Sequence, residues 1–192
     1  MCSAVLVDRG DYVFHARNLD YSFPELLAQM SVTLHYRKNG TVIFTAITQA
    51  GFTGVHTGIA HGKFTIDLNE RDQGSLLASF WAYLTGHSRV TGFIRHVLTT
   101  AETYQEAFNL FKTEKLISPC YLVTSGVNGN EGAVITRHRN SVHDIYTLDD
   151  AAKDGRKFLV QTNYDRDIPD PERDQRRIPA EKRMDSLGAN ST

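Results

Sequence analysis

Residues 1–20, MCSAVLVDRGDYVFHARNLD, hold two apolar runs, SAVLV and YVFHARN, on either side of the polar stretch DRGD. β-branched and aromatic residues around a turn that contains Asp and Gly predict a β-hairpin. The hairpin puts Cys2 at the start of its first strand, and Arg17 and Asp20 at the end of its second. We therefore expect these three residues to lie near one another.

The rest of the chain is organised in blocks of strands and helices. Asn39-Gly40 separates two further strand-like runs and favours a type I′ hairpin turn. Thr103 and Glu106 fit a capping box that opens a helix. Apolar periodicity predicts strands at residues 31–37, 41–48, 51–60, 63–69, 120–126, 132–138, 142–148 and 157–163, and helices at 75–84, 90–101 and 103–113. Hairpins followed by helices and then more strands indicate an α+β layered domain rather than βαβ units.

Composition narrows the class of protein. A chain of 192 residues suits one domain, and a net charge of −1 gives no general attraction to nucleic acid. Two cysteines cannot form a disulfide framework, and their spacing fits no metal site. The sequence has no run of 18 apolar residues that would predict a membrane span, and no signal peptide is expected in this chain.

The carboxyl-terminal stretch, residues 166–192, differs from the rest. It holds three of the five prolines and is mostly charged or polar, which predicts an extended surface segment. It also ends in a glycosylation sequon at Asn190, and another sequon occurs at Asn39. Such triplets arise often by chance, so they have weight only if the protein enters the secretory pathway.

Cys2 is the candidate nucleophile. Methionine before a small residue is normally removed, and an N-terminal cysteine can use its own α-amino group, with a pKa of about 8, as the base. Arg17 could stabilise the thiolate, and Asp20 could hold the amine. Two alternatives are open. Cys2 could be a small strand residue, or it could work with one of the eight histidines, although His35, His56 and His61 fall on predicted strands or turns.

Several short motifs follow one another along the chain. After Cys2-Ser3 come HARNLDY, GFTGVHTG, NERDQG, EGAVITR, QTNYD and DQRR. From Cys2 to about Ala189 this text resembles the catalytic β-subunit of the acid ceramidase and N-acylethanolamine-hydrolyzing acid amidase family, which are N-terminal nucleophile hydrolases. The resemblance implies a four-layer αββα sandwich, formed by residues 1–192 as a single domain that lacks its carboxyl-terminal part. It also implies maturation by self-cleavage before the cysteine.

The resemblance assigns roles residue by residue. Cys2 matches the nucleophile, and Arg17 and Asp20 match the pair that positions its amine and thiol. Asn163 matches an oxyanion-hole side chain, Glu70 a carboxylate linked to processing, and Arg176 an arginine near the site mouth. Simpler interpretations are that Arg176 is a solvated charge, that Glu70 is an ion-pair partner of Arg71 or Arg17, and that Asn18 and Asn69 are turn or strand-end residues.

The family also implies a setting. We expect hydrolysis of lipid amides at acidic pH in lysosomes, with no cofactor and no metal, an α-subunit from the same precursor, and contact with membrane surfaces. NLDYSF and ERDQG favour fatty-acid ethanolamides as substrates, whereas LNER is closer to ceramide-cleaving relatives. A catalytically silent lipid-binding subunit is the alternative from another class. Phe52, Val55 and residues 75–84 could line an acyl pocket or could pack in the core.

Overall fold

The computed structural model describes residues 1–187, and the Asn190 sequon lies outside them. Within that range the chain forms two antiparallel sheets and six α-helices. The strands are β1 (Cys2–Asp8), β2 (Val13–Leu19), β3 (Ser31–Lys38), β4 (Thr41–Gln49), β5 (Thr57–Ala60), β6 (Phe64–Glu70), β7 (Cys120–Ser125), β8 (Gly132–Arg137), β9 (Val142–Thr147) and β10 (Phe158–Gln161). The helices are α1 (Pro24–Met30), α2 (Leu76–Leu84), α3 (Val90–Thr100), α4 (Tyr104–Thr113), α5 (Leu148–Lys153) and α6 (Arg177–Ser186).

The smaller sheet contains the predicted amino-terminal hairpin. Its three antiparallel strands have the order β10-β1-β2. Cys2 is paired with Leu19, and Ala4 with Arg17. Because side chains alternate along a strand and paired residues share a face, Cys2, Ala4 and Arg17 lie on the same face of this sheet.

The larger sheet has seven strands in sequential order, from β3 to β9. The predicted type I′ turn between β3 and β4 is confirmed, since Asn39 and Gly40 both have positive φ, at 51° and 83°. The predicted strand over residues 51–60 is too long. Its first six residues form a loop, and β5 starts only at Thr57.

Four layers stack as helices, sheet, sheet and helix. Helices α3 and α4 pack on one face of the seven-stranded sheet through a core that includes Phe44, Ile94 and Phe111. The other face meets the three-stranded sheet through a second core around Leu6 and Tyr121. On the far side of the small sheet, a third cluster brings Met184 of α6 against Val7 and Phe158. The αββα arrangement agrees with the prediction.

Three helices were not predicted, and one of them corrects an expectation. Residues 166–192 were expected to be an extended surface segment, but helix α6 runs through them. Arg177 at its start is buried and donates to the Asp165 carbonyl at 3.0 Å, which ties the helix to the loop after β10. The amino-acid composition of this segment concealed the helix because its buried residue, Arg177, is charged and Met184 is the apolar residue of α6 that packs against the sheet. Helices α1 and α5 are short, and α5 opens with a Thr147–Asp150 capping box.

Candidate active site

Cys2 begins strand β1 at the junction of the two sheets. It is 4% exposed, and its backbone nitrogen donates to Asn163 Oδ1 at 2.6 Å. In this chain Met1 precedes it, so that nitrogen is a peptide nitrogen here and becomes the α-amino group once Met1 is removed. This peptide nitrogen is therefore held by the amide oxygen of Asn163.

Asn163 follows strand β10 and connects two parts of the site. Its Nδ2 donates to the Glu70 carbonyl at 2.8 Å, and its Oδ1 also accepts from Arg176 Nη2 at 3.0 Å. The side chain is thereby fixed at both ends. The side-chain oxygen of Asn163 accepts from the Cys2 nitrogen, and only the side-chain nitrogen of Asn163 can act as a donor. The oxyanion role assigned to Asn163 remains a prediction.

Arg176 lies beside Cys2, the candidate nucleophile. Its Nη1 donates to the Cys2 carbonyl at 2.6 Å and to Ser3 Oγ at 2.9 Å. The Asp174 carboxylate accepts from Arg176 Nε at 2.5 Å and from Nη2 at 2.8 Å. This hydrogen-bonded pair raises the pKa of Arg176 and lowers the pKa of Asp174. The interpretation of Arg176 as a solvated charge is wrong.

Arg17 reaches from the small sheet to the large one. Its Nη1 donates to Thr57 Oγ1 at 2.8 Å, and its Nη2 donates to the Leu68 carbonyl at 2.8 Å. Its Nε lies 3.8 Å from an Asp67 carboxylate oxygen. The acidic partner of Arg17 among the described residues is thus Asp67 rather than Glu70.

Asp20 makes different contacts from those expected. Its backbone forms two hydrogen bonds with Met1, and its carboxylate accepts from Asn18 Nδ2 at 2.9 Å. The peptide nitrogen of Cys2 donates its single hydrogen to Asn163, so a contact between Asp20 and a free α-amino group stays a prediction. Asp20 and Arg17 do share a cavity of about 510 Å³ that also has Tyr21 in its wall.

Glu70 ends strand β6 and lines a neighbouring cavity of about 290 Å³ with Tyr21. Burial raises the pKa of Tyr21, and the nearby charges of Cys2 and Glu70 raise it further. Tyr21 is therefore within electrostatic reach of both Cys2 and Glu70. Arg71, the other ion-pair partner considered for Glu70, pairs with Asp165 at 2.6 Å.

Comparisons with known proteins were made by sequence and by structure. No protein-family model matches the chain. N-acylethanolamine-hydrolyzing acid amidase of Rattus norvegicus is 39% identical over 187 residues, which is 97% of this chain and 51% of the rat protein. Acid ceramidase of Heterocephalus glaber is 36% identical over 199 residues, which is 94% of this chain and 50% of that protein.

A solved structure gives the more complete match. It is an N-acylethanolamine-hydrolyzing acid amidase ortholog of Caenorhabditis elegans, which superposes with a TM-score of 0.86 at 34% identity and covers 99% of this chain and 81% of its own. The chain belongs to the acid amidase and acid ceramidase family. It spans about half the length of the full relatives that it matches.

Within this family member, sequence reasoning missed residues that join the sheets. Asn69 is fully buried, accepts from Arg17 Nη2 at 3.3 Å and donates to the Gln161 carbonyl at 3.1 Å. His15 Nε2 lies 2.8 Å from Asp67. Asn69 is therefore neither a turn residue nor a simple strand end. The available signal was the polar residue at every second position of β6, which indicates a polar face on an otherwise buried strand.

The residues considered for an acyl pocket divide between core and surface. Val55 is fully buried in the core beneath α3, whereas Phe52 is partly exposed and stacks on His56 with ring centroids 4.8 Å apart. Helix α2 is largely exposed, and Leu76 is 90% accessible. Within residues 1–187 the helices are too short or too polar to cross a membrane.

Proposed function

We propose that this chain is the catalytic part of a cysteine amidase that hydrolyses lipid amides, with Cys2 as the nucleophile. The observation that carries the proposal is the contact between the Cys2 nitrogen and Asn163 Oδ1 at 2.6 Å. It places the atom that becomes the α-amino group in a defined hydrogen bond at a buried strand end. Two positively charged side chains, Arg17 and Arg176, reach the same junction between the sheets.

The reaction proceeds in two halves. After Met1 is removed, the α-amino group takes the proton of the thiol, and Sγ attacks the amide carbonyl carbon. The tetrahedral intermediate collapses to a thioester, and the amine leaves with the proton. Water then attacks the thioester, releases the fatty acid and restores the thiol. Asn163 supplies an amide donor for the oxyanion, with Arg176 and Glu70 fixing its orientation.

Fatty-acid ethanolamides are the proposed substrates, because the matched relatives with 37–39% identity are named for hydrolysing N-acylethanolamines. The cavity beside Arg17 and Asp20 is suited to an acyl chain, since Leu19, Leu27 and Ile47 contribute to its wall. Ceramide is the second candidate, supported by acid ceramidases at 34–36% identity. A silent binding subunit is disfavoured by the intact set of polar contacts around Cys2.

Helix α2 supports the proposed contact with membrane surfaces. Its large apolar side chains are exposed, as expected for a helix that lies on lipid. They are Leu76, Leu77, Phe80, Trp81, Tyr83 and Leu84, each more than half accessible. Sedimentation with anionic lipid vesicles tests this proposal, and replacing Leu77 and Trp81 by Ser should release the protein from the vesicles.

An α-subunit from the same precursor is proposed because the relatives are about twice as long as this chain. A lysosomal location and glycosylation are proposed with it. Asn39 is exposed in the tight turn between β3 and β4, so the sequon there is accessible to modification. A mass shift removed by an endoglycosidase, and lost in Asn39→Gln, tests that modification.

The deciding experiment is a panel of lipid amides at acidic pH. It should contain fatty-acid ethanolamides and ceramides of matched acyl length, with intact-mass analysis to show that Met1 has been removed. We expect release of fatty acid from the ethanolamides, faster than from the ceramides. Ceramide preference would support the second candidate, and binding without hydrolysis by a protein that starts at Cys2 would support the silent subunit.

A further inference from the structure

A buried ion pair lies directly behind Asn163. Arg71 follows Glu70 in the chain, and Asp165 lies two residues after Asn163. Arg71 Nε donates to one Asp165 oxygen at 2.7 Å, and Nη2 donates to the other at 2.6 Å. Arg71 is 3% exposed and Asp165 is 8% exposed. This two-point geometry fixes both the distance and the relative orientation of the two residues.

The Asp165 carboxylate is held from three sides. Tyr121 Oη donates to it at 2.7 Å, and Gln73 Nε2 donates at 3.0 Å. Burial alone raises the pKa of Asp165, but the hydrogen bonds from Arg71, Tyr121 and Gln73 outweigh it and lower the pKa to about 2. The pair is therefore charged throughout the acidic range. Arg71 Nη1 also meets the carbonyl of Arg137 at 3.3 Å.

A metal site is the competing interpretation of this cluster. His143, Asp165 and Asp167 bring possible ligand atoms within 4.8 Å of one another. However, both Asp165 oxygens already accept hydrogen bonds from Arg71, and the guanidinium charge neutralises the carboxylate. A cation would have to compete with a buried guanidinium, so the cluster is better explained as a structural support.

We propose that Arg71 and Asp165 are positioning residues for the reaction, acting through Asn163. The pair holds together the two segments that carry Glu70 and Asn163, and the bond from Asn163 Nδ2 to the Glu70 carbonyl lies between them. With both segments held, Asn163 Oδ1 faces the Cys2 nitrogen. The inference rests on the proposed function. The role proposed for Arg71 and Asp165 does not involve direct contact with substrate.

A double-mutant cycle tests this proposal. Asp165→Asn keeps the shape of the side chain but removes its charge, so we expect kcat to fall roughly 10- to 100-fold with KM changed by less than about threefold. In an Asn163→Ala background, the same substitution should cost less than about twofold, because the group it positions is already absent. Equal losses in the two backgrounds would show a general structural effect and overturn the proposal.

A matched control separates positioning from stability. Phe111→Leu lowers stability in the helix-side core without removing a hydrogen bond to Arg71 or Asp165, and should leave kcat unchanged at a temperature where all variants are folded. If Asp165→Asn does not fold, Tyr121→Phe removes one hydrogen bond to Asp165 and serves in the same cycle. Full activity of a folded Asp165→Asn protein would also reject the proposal.

A second measurement keeps this proposal separate from the proposed function. The rate of Cys2 alkylation by iodoacetamide, assigned by peptide mass spectrometry, is measured in the same four proteins. We expect Asp165→Asn to change the rate at least about threefold only when Asn163 is present. If the wild-type protein hydrolyses no lipid amide, the proposed function fails, whereas this alkylation cycle still decides the positioning role. Additive alkylation effects would overturn it.

Discussion

The two cysteines of the chain make an informative pair. Cys2 begins β1 and Cys120 begins β7, and both are free and buried. Cys120 faces the helices and belongs to the apolar core with Phe111 and Leu122. Burial raises its pKa to about 12, although Arg137 and Arg71 act in the opposite direction. Cys2 lies at the end of the other sheet, beside Asn163 and Arg176.

Burial and position on a strand therefore do not distinguish the two thiols. Cys120 is even paired across the sheet with Glu70, one strand away from the candidate site. The surroundings make the difference: around Cys120 burial outweighs the charges of Arg137 and Arg71, whereas the Cys2 backbone is hydrogen-bonded to Asn163 and Arg176 at the junction of the sheets. The following experiments test whether this contrast accounts for reactivity, starting with the largest expected effect.

Cys2→Ala should lower the rate of lipid-amide hydrolysis by roughly 10⁴-fold or more, because no other nucleophile replaces Sγ. The far-UV circular dichroism spectrum and Tm should stay near those of the wild type. Cys120→Ser is the matched control and should keep its turnover, although it places a hydroxyl in an apolar core. Retained turnover in Cys2→Ala, or labelling of Cys120 by a thiol-directed inhibitor, would contradict the contrast between the two cysteines.

A protein that carries an uncleavable extension before Cys2 should be inactive while still folded. The extension keeps Sγ but leaves a peptide nitrogen in the hydrogen bond to Asn163, and a peptide nitrogen cannot act as a base. The comparison is with a protein from which the extension has been removed, checked by intact mass. Full activity with a blocked amino terminus would instead support a pairing of Cys2 with a histidine.

Asn163→Ala should lower kcat by roughly 10²- to 10³-fold with little change in KM, because an oxyanion donor acts in the transition state. Ser3→Ala is a useful comparison, since it removes one acceptor of Arg176 and leaves Asn163 intact. Its effect should be much smaller. A large loss of Tm in Asn163→Ala, with near-normal turnover of the folded fraction, would show that the residue only stabilises the loop after β10.

The strands and helices could be predicted from the sequence better than the contacts between them. The hairpins of the two sheets follow from local alternation and turn residues such as Asn39-Gly40, and the structure confirms them. Helix α6 was missed because its first residue, Arg177, is buried through hydrogen bonds to backbone carbonyls. A charged residue buried in this way has the same sequence signature as an exposed one.

The candidate site shows the same limit. Motif resemblance located Cys2, Arg17 and Asn163, and the structure brings them to the junction of the sheets. The resemblance could not specify that Asn163, rather than Asp20, contacts the Cys2 nitrogen. That contact joins residues 161 positions apart, and its geometry depends on the entire stack of layers.

The smallest expected effect concerns His56, in the loop directly before β5. It stacks on Phe52 and lies edge-on to Tyr21, with centroids 6.2 Å apart. Burial, together with the smaller effect of the Arg17 charge, lowers the pKa of His56 from 6.5 to about 4. In the folded protein His56 is thus neutral at pH values where an unfolded chain would protonate it.

The sign of the pH dependence follows. As pH falls from about 6.5 to about 4, the unfolded chain binds a proton that the folded protein does not, so the free energy of unfolding decreases. Allowing for the partial exposure of the ring, we expect a loss of ~1 kcal/mol across that interval.

His56→Gln should remove this part of the pH dependence of the free energy of unfolding, measured by urea titrations at several pH values. Asp165 contributes little in this interval, because its carboxyl has a pKa of 3.8 in the unfolded chain and about 2 in the folded protein, which puts most of its loss below pH 4. If His56→Gln and the wild type lose stability in parallel, another group is responsible, and His56 is not the source of the acid sensitivity.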